Sequence, residues 1–268
     1  MSEPIVVDSF GDGLMQYSPF KREWVVKGRN FGEGMVEMTV TAFDRYVGAQ
    51  QLNHFPKAKR GKSENADSNL KDSAKRAKQQ VRLRCKAIQA DHMVTLSYRG
   101  AMRDKVRLRR DFRAFRERVG RVLGFEYVAA PERHKSGGWH LHIAVRGRQN
   151  IRVMRSIWWS IVGRAMGNVH VRSPYKEKGL RHKLAAYIGK YVTKDFQEHK
   201  ANEKRYWSSK GVDVPEAVLI DHRLDGDLIA AIKVAVAEAQ RAGATMDRCQ
   251  MFLDDKLGAF WLATRETG

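Results

Sequence analysis

His140-Leu141-His142 places two imidazoles two positions apart inside an apolar run, Trp139 to Val145, that reads as a β-strand. Side chains alternate along a strand, so both imidazoles leave one face while Trp139, Leu141 and Ile143 enter the other. Two histidines so placed can chelate one metal ion, or both can simply face solvent. Glu132 ends the preceding strand, and the connection 133–138 folds back as a hairpin that brings its carboxylate toward His140. Two imidazoles and a carboxylate make a mixed donor set suited to Mn²⁺ and workable for Mg²⁺. His134, in the turn, is the rival third ligand.

A second constellation is Tyr187-Ile-Gly-Lys190-Tyr191-Val-Thr-Lys194. On a helix, Tyr187 and Tyr191 share a face with Cβ atoms about 5–6 Å apart, and Lys190 and Lys194 form an adjoining stripe. A phenol is a poor nucleophile near its free pKa of about 10. A metal that polarises a phosphodiester, with an ammonium group nearby, offsets that weakness. The other reading of the helix is a half-buried aromatic stripe with lysines snorkelling over it. Attack by tyrosine on a phosphodiester conserves the bond's transfer potential and needs no ATP. Gly61-Lys62-Ser63 mimics the end of a phosphate-binding loop, but the glycine required five residues earlier is Pro56.

The elements that must position these groups follow from periodicity. A basic helix is expected from about Asp67 to Ala90, a strand over Met93–Tyr98, and a helix over 105–123 with Leu108, Phe112, Phe115 and Val119 at helical spacing. Phe125–Glu132 and Trp139–Val145 read as a strand pair, Ile151–Val162 as a helix, Asn168–Arg172 as a strand and Leu180–Phe196 as a helix. This order is the β-α-β-β-α-β pattern of a ferredoxin-like antiparallel sheet with helices on one face, an α+β fold. Around it the reading places an N-terminal extension and basic loop (1–66), the central domain with its preceding basic helix (67–211), and an acidic helical C-terminal extension (212–268) that includes a helix over Leu228–Ala242. The first fifty residues receive no assignment.

The 268 residues carry 50 Lys and Arg against 30 Asp and Glu, a formal charge of +20. The charge is segregated: residues 51–210 hold 39 basic and 13 acidic side chains, whereas both flanks are net acidic. A cationic block of that kind suits a polyphosphate partner, because each neutralised phosphate releases counterions. No apolar run is long enough for a membrane span, and Met1-Ser-Glu-Pro lacks the basic and apolar regions of a secretory signal. Two cysteines, Cys85 and Cys249, exclude a disulfide framework and a four-cysteine zinc site, so the bacterial cytoplasm is the expected compartment.

Thr95-Leu-Ser-Tyr-Arg99, the His-Leu-His of 140–142 and the Tyr-Ile-Gly-Lys-Tyr-Val-Thr-Lys of 187–194 resemble the three ordered motifs of rolling-circle replication initiators. These form the His-hydrophobe-His (HUH) endonuclease superfamily, and the paired tyrosines resemble its two-tyrosine phage and plasmid branch. The resemblance covers about residues 92–211 and ends on Lys204-Arg-Tyr-Trp-Ser-Ser. It implies a ferredoxin-like catalytic domain with a divalent metal, Mg²⁺ or Mn²⁺, on His140, His142 and Glu132. It implies that Tyr187 or Tyr191, helped by Lys190 or Lys194, nicks one strand at a single-stranded or hairpin origin. The products would be a 5′-phosphotyrosine link and a free 3′-OH primer. A host helicase and a DNA polymerase would be the further partners. A transposase or relaxase-like nickase of the same superfamily is the nearest alternative. A nucleic-acid-binding module of the same topology is the non-catalytic one, but it would show stacking aromatics where this strand shows histidines. Histidine-triad hydrolases are excluded because the third position of their motif is Ala144.

Overall fold

The computed structural model describes residues 20–32, 34–46, 65–172, 181–194, 203–223, 227–244, 249–254 and 256–264. The chain begins with β1 (Phe20–Asn30) and β2 (Val36–Tyr46), followed by α1 (Ala66–Ala87), β3 (His92–Tyr98) and α2 (Lys105–Leu123). Next come β4 (Val128–Arg133), β5 (Trp139–Val145), α3 (Ile151–Val162), β6 (Gly167–Arg172) and α4 (Arg181–Lys194). The last elements are β7 (Trp207–Ser208), β8 (Val218–Arg223), α5 (Leu228–Arg241), β9 (Cys249–Asp254) and β10 (Ala259–Thr264). They fall into two units, one built on the central stretch up to Pro215 and one on the two flanks.

The central unit is an antiparallel sheet in the order β6-β3-β5-β4-β7. Its first four strands with α2 and α3 make the expected β-α-β-β-α-β core, and the fold is α+β. Capping sets both helix starts: Asp104 accepts from the Val106 and Arg107 amides, and Asn150 accepts from the Val153 amide. Leu108, Phe112, Phe115 and Val119 of α2 and Met154, Trp158 and Val162 of α3 pack on Leu96, Leu141, Ile143 and Val169 of the sheet. Both helices of the core therefore lie on one face. The opposite face is closed by the helices outside the repeat, α1 and α4. There Val81, Cys85 and Ile88 meet Leu184, Ile188 and Val192 over Val128, Ala130 and Ala144.

β4 begins at Val128 rather than Phe125 and continues to Arg133, one residue past Glu132. The three residues before it are held by aromatic packing instead of a strand ladder. Phe125 stacks on Tyr127 at 5.1 Å, and these rings meet Phe115 and Phe112 of α2 edge-on. The Tyr127 amide donates to Ser209 Oγ.

The flanks do not form two separate extensions. β1 and β2 pair with each other and then with strands from the far end of the chain, giving a second sheet in the order β8-β1-β2-β10-β9. The expected acidic helical tail supplies α5 and three of these strands. α5 lays Ala231, Ala235 and Ala239 on Trp24, Val26, Met38, Val40 and Leu262, its small residues letting helix and sheet approach closely. The loop read over residues 53–68 lies outside the described residues as far as residue 64.

Gly167 offers a test of the central packing. Trp158 donates its indole N–H to Ser97 O at 3.0 Å, and a Cβ on Gly167 would lie 2.8 Å from that same carbonyl and inside the indole. Gly167→Ala should therefore cost about 1–3 kcal/mol. Chemical denaturation followed by tryptophan fluorescence measures it; an unchanged midpoint would mean that β6 shifts freely.

Candidate active site on the sheet face

Strand parity decides which groups share a face. Trp139, Leu141, Ile143 and Val145 of β5 enter the core under α2 and α3, so His140 and His142 turn to the side covered by α4. Glu132 is the cross-strand partner of His140, and Ala130 that of His142. With only a methyl group at Ala130, the Glu132 side chain reaches the diagonal position. Its Oε2 lies 2.7 Å from His142 Nε2. On the other side, Thr95 of β3 is paired with His142 and its Oγ1 is 3.2 Å from Nδ1. With a neutral imidazole and an ionised carboxylate, one arrangement satisfies both contacts: Nε2–H donates to Glu132, and the Thr95 hydroxyl donates to Nδ1.

The third restraint on His142 is a ring. Tyr191 of α4 stacks on it, centroids 4.1 Å apart and planes 11° from parallel. Tyr187 meets Tyr191 edge-on at 5.1 Å. Leu184, Ile188 and Val192 anchor α4, and Gly189 allows its close approach to α1, where a Cβ would sit 3.3 Å from Lys78 Cγ. The two phenols differ in setting: Tyr191 is buried, whereas Tyr187 is 39% exposed. Burial, above all, and then the hydrogen bond and charge of Tyr187 and the charge of Glu132, hold the Tyr191 phenol well above its ordinary pKa. Lys190 is exposed on the neighbouring stripe, and the Lys194 side chain lies outside the described residues.

His140 is half-buried, its ring 5.5 Å from that of His134. Desolvation lowers its pKa, assisted by His134 and His142 and opposed by Glu132. A neutral imidazole keeps a lone pair, which is what a metal ligand requires. Among the described residues no three His, Cys, Asp or Glu side chains are grouped as a finished metal site, and Glu132 and His142 bond each other instead. The donor chemistry still suits a divalent cation, since two imidazoles and a carboxylate share one sheet face and the Glu132–His142 bond joins two groups that are both ligands by type.

Sequence reasoning assigned no role to Thr95. The available signal was parity, because a hydroxyl on the strand paired with the histidines faces them when it is in register. Of the other tyrosines weighed as nucleophiles, Tyr206 packs against the core beneath α1 and α4, and Tyr175 lies outside the described residues.

Residues 91–196 match the family model of the ORF2-type replication-associated proteins. That stretch runs from the start of β3 to the end of α4 and contains Glu132, both histidines and both tyrosines. No curated protein and no solved structure matches the chain. Among the described residues no helix is long and apolar enough to cross a membrane.

Proposed function

With residues 91–196 carrying a domain of the replication-associated type, we propose that the chain initiates rolling-circle replication by nicking one strand of origin DNA through tyrosine transesterification. A tyrosine oxygen bonds to phosphorus, the bond from phosphorus to the 3′ oxygen breaks, and that oxygen leaves with a proton as a 3′-OH. The 5′ end stays on the enzyme as a phosphotyrosine. The observation that carries the reading is the stack of Tyr191 on His142, which puts a nucleophile type and a metal-ligand type in one contact.

His140, His142 and Glu132 would hold Mg²⁺ or Mn²⁺, and the bound cation would supply Lewis-acid polarisation of the phosphodiester. Thr95 fixes the His142 ring, and Ile188 and Val192 hold α4 so that both phenols face the same point. Tyr187, the more exposed phenol, is open to an incoming strand. Lys190, one stripe away, stabilises charge on the phosphate, and Lys194 is assigned the same part from its spacing. A single strand is required, since a paired base would keep the phosphate from the sheet face. The freed 3′-OH would serve a polymerase, and with no phosphate-binding loop in the sequence a helicase would be recruited.

The test is a denaturing gel of full-length protein incubated with end-labelled single-stranded origin DNA and Mn²⁺. A protein band carrying label that survives denaturation is expected; its absence from correctly folded protein removes the transesterification reading. Glu132→Ala should raise the Mn²⁺ concentration needed for half-maximal cleavage by about 10- to 100-fold. Wild-type behaviour at limiting Mn²⁺ would transfer the third position to His134 or another acid.

A further inference from the structure

A cavity of about 670 Å³ opens at the β7 edge of the central sheet and shares no lining residue with the histidine–tyrosine site. Arg109, Arg113 and Arg116 recur at intervals of four and three, so they form one stripe of α2 that rises about 10 Å along the cavity. Arg84 enters from α1, and Arg205 from the segment leading into β7. No acidic residue lines it.

Two of these arginines hold donors that the chain leaves unused. Arg205 is 5% exposed, and its Nη1 is buried without a hydrogen-bond partner among the described residues. Arg84 spends Nη1 on Ser208 Oγ and Val212 O, while its Nε is buried and unpaired as well. Nearby Glu203 is paired with Lys105 at 2.8 Å. Buried polar groups in folded proteins are nearly always hydrogen-bonded, so two leftover guanidinium donors at one cavity call for an acceptor from outside. Arginine forks match phosphate geometry in particular.

The rest of the lining selects among phosphate compounds. Phe112, Tyr206 and Trp207 lie among the cations, with the Phe112 and Trp207 rings 5.6 Å apart. Cations tracking a backbone beside aromatic rings are the combination that binds unpaired nucleic acid. In a duplex the base faces are already covered. We infer that this cavity is a second DNA site, which grips the phosphates of a single strand away from the point of cleavage. The inference rests on the proposed function for its DNA partner, and it adds where a flanking strand is held. Strand and catalytic site would then be tethered separately, so that the cleaved end stays on the enzyme even when the tyrosine link is absent.

The experiment is fluorescence anisotropy of full-length protein with a labelled single-stranded 20-mer of unrelated sequence, at several salt concentrations. Arg109→Gln/Arg113→Gln should weaken binding about tenfold and flatten the log K against log salt slope by about 1.4, at roughly 0.7 per phosphate contact on a single strand. Arg205→Lys, which keeps the charge and loses the fork, should weaken binding as well. Affinity and slope equal to wild type in the Arg109→Gln/Arg113→Gln protein overturn the site. Displacement of the oligonucleotide by micromolar nucleoside triphosphate overturns the strand as occupant and assigns the cavity to free nucleotide. Adduct formation on origin DNA is scored separately: a wild type that binds the 20-mer in this way and never forms adduct loses the nicking reading while keeping this site.

Discussion

Tyr187→Phe/Tyr191→Phe forms no covalent adduct with origin DNA, whereas each single variant retains part of it. The expected drop in the double variant is about 10³-fold or more, the scale of losing a nucleophile altogether. The geometry makes these substitutions clean. Phe at 191 keeps the ring that stacks on His142, and Phe at 187 keeps the edge-on contact, so only the hydroxyls leave. With both phenols on one face of α4, either can reach the same phosphate position, and they can act in turn: one opens the origin strand and the other cuts after a full round to release a circle. The setting of each phenol differs, because Tyr191 must lose its proton from a buried position while Tyr187 faces solvent. Trapping the adduct on a labelled oligonucleotide and mapping the modified peptide reads out both. Loss of all adduct in one single variant would make the other tyrosine structural. Adduct in the double variant would move the nucleophile elsewhere, with Tyr175 and Tyr206 the next to replace.

The second large effect is on the metal side. His140→Ala should cut nicking by about 10³-fold or more, and excess chelator should do the same to the wild type, while affinity for DNA changes less than about twofold. His140 is the better choice over His142, whose ring supports Glu132, Thr95 and Tyr191 together, so that removing it would disturb the packing of α4 as well as any ligand. Binding depends on the arginines and lysines, cleavage on the cation, and the two assays separate them. Cleavage that continues in excess chelator would remove the metal from the mechanism, as would an active His140→Ala protein.

How much of this was readable in advance differs element by element. Trp139–Val145 and Ile151–Val162 have the same ends in the sequence reading and in the structure, because short-range alternation and an Asn150 cap act within a few residues. The ferredoxin-like order was legible for the same reason: each element announces itself locally, and few topologies accommodate that order. β1 and β2 were not legible. Their charged residues interleave with a short buried alternation around Trp24 and Val26, and their outer partners, β8 and β10, come from the far end of the chain. Nothing local in Val218–Arg223 names Trp24–Gly28 as its neighbour.

At the site, the sequence by itself determined the cast: two imidazoles on one strand face, a carboxylate across the hairpin, two phenols a helical turn apart, and the cationic block around them. Residue type and period settle those matters, since they depend on covalent spacing alone. Only the tertiary structure decided the contacts. α4 is placed by its packing on α1 and the sheet, and that packing puts Tyr191 rather than Tyr187 on His142, buries the one phenol and exposes the other. The Ala130 methyl and the strand register likewise send Glu132 to His142 instead of to His140, its direct partner across the hairpin. The arginine-lined cavity belongs to the same class. Arg84, Arg109 and Arg205 are scattered over more than a hundred residues, and they meet because α1, α2 and the β7 edge pack on the two faces and the rim of one sheet. Spacing along the chain carries no information about such meetings, which depend on how distant apolar faces are buried against each other.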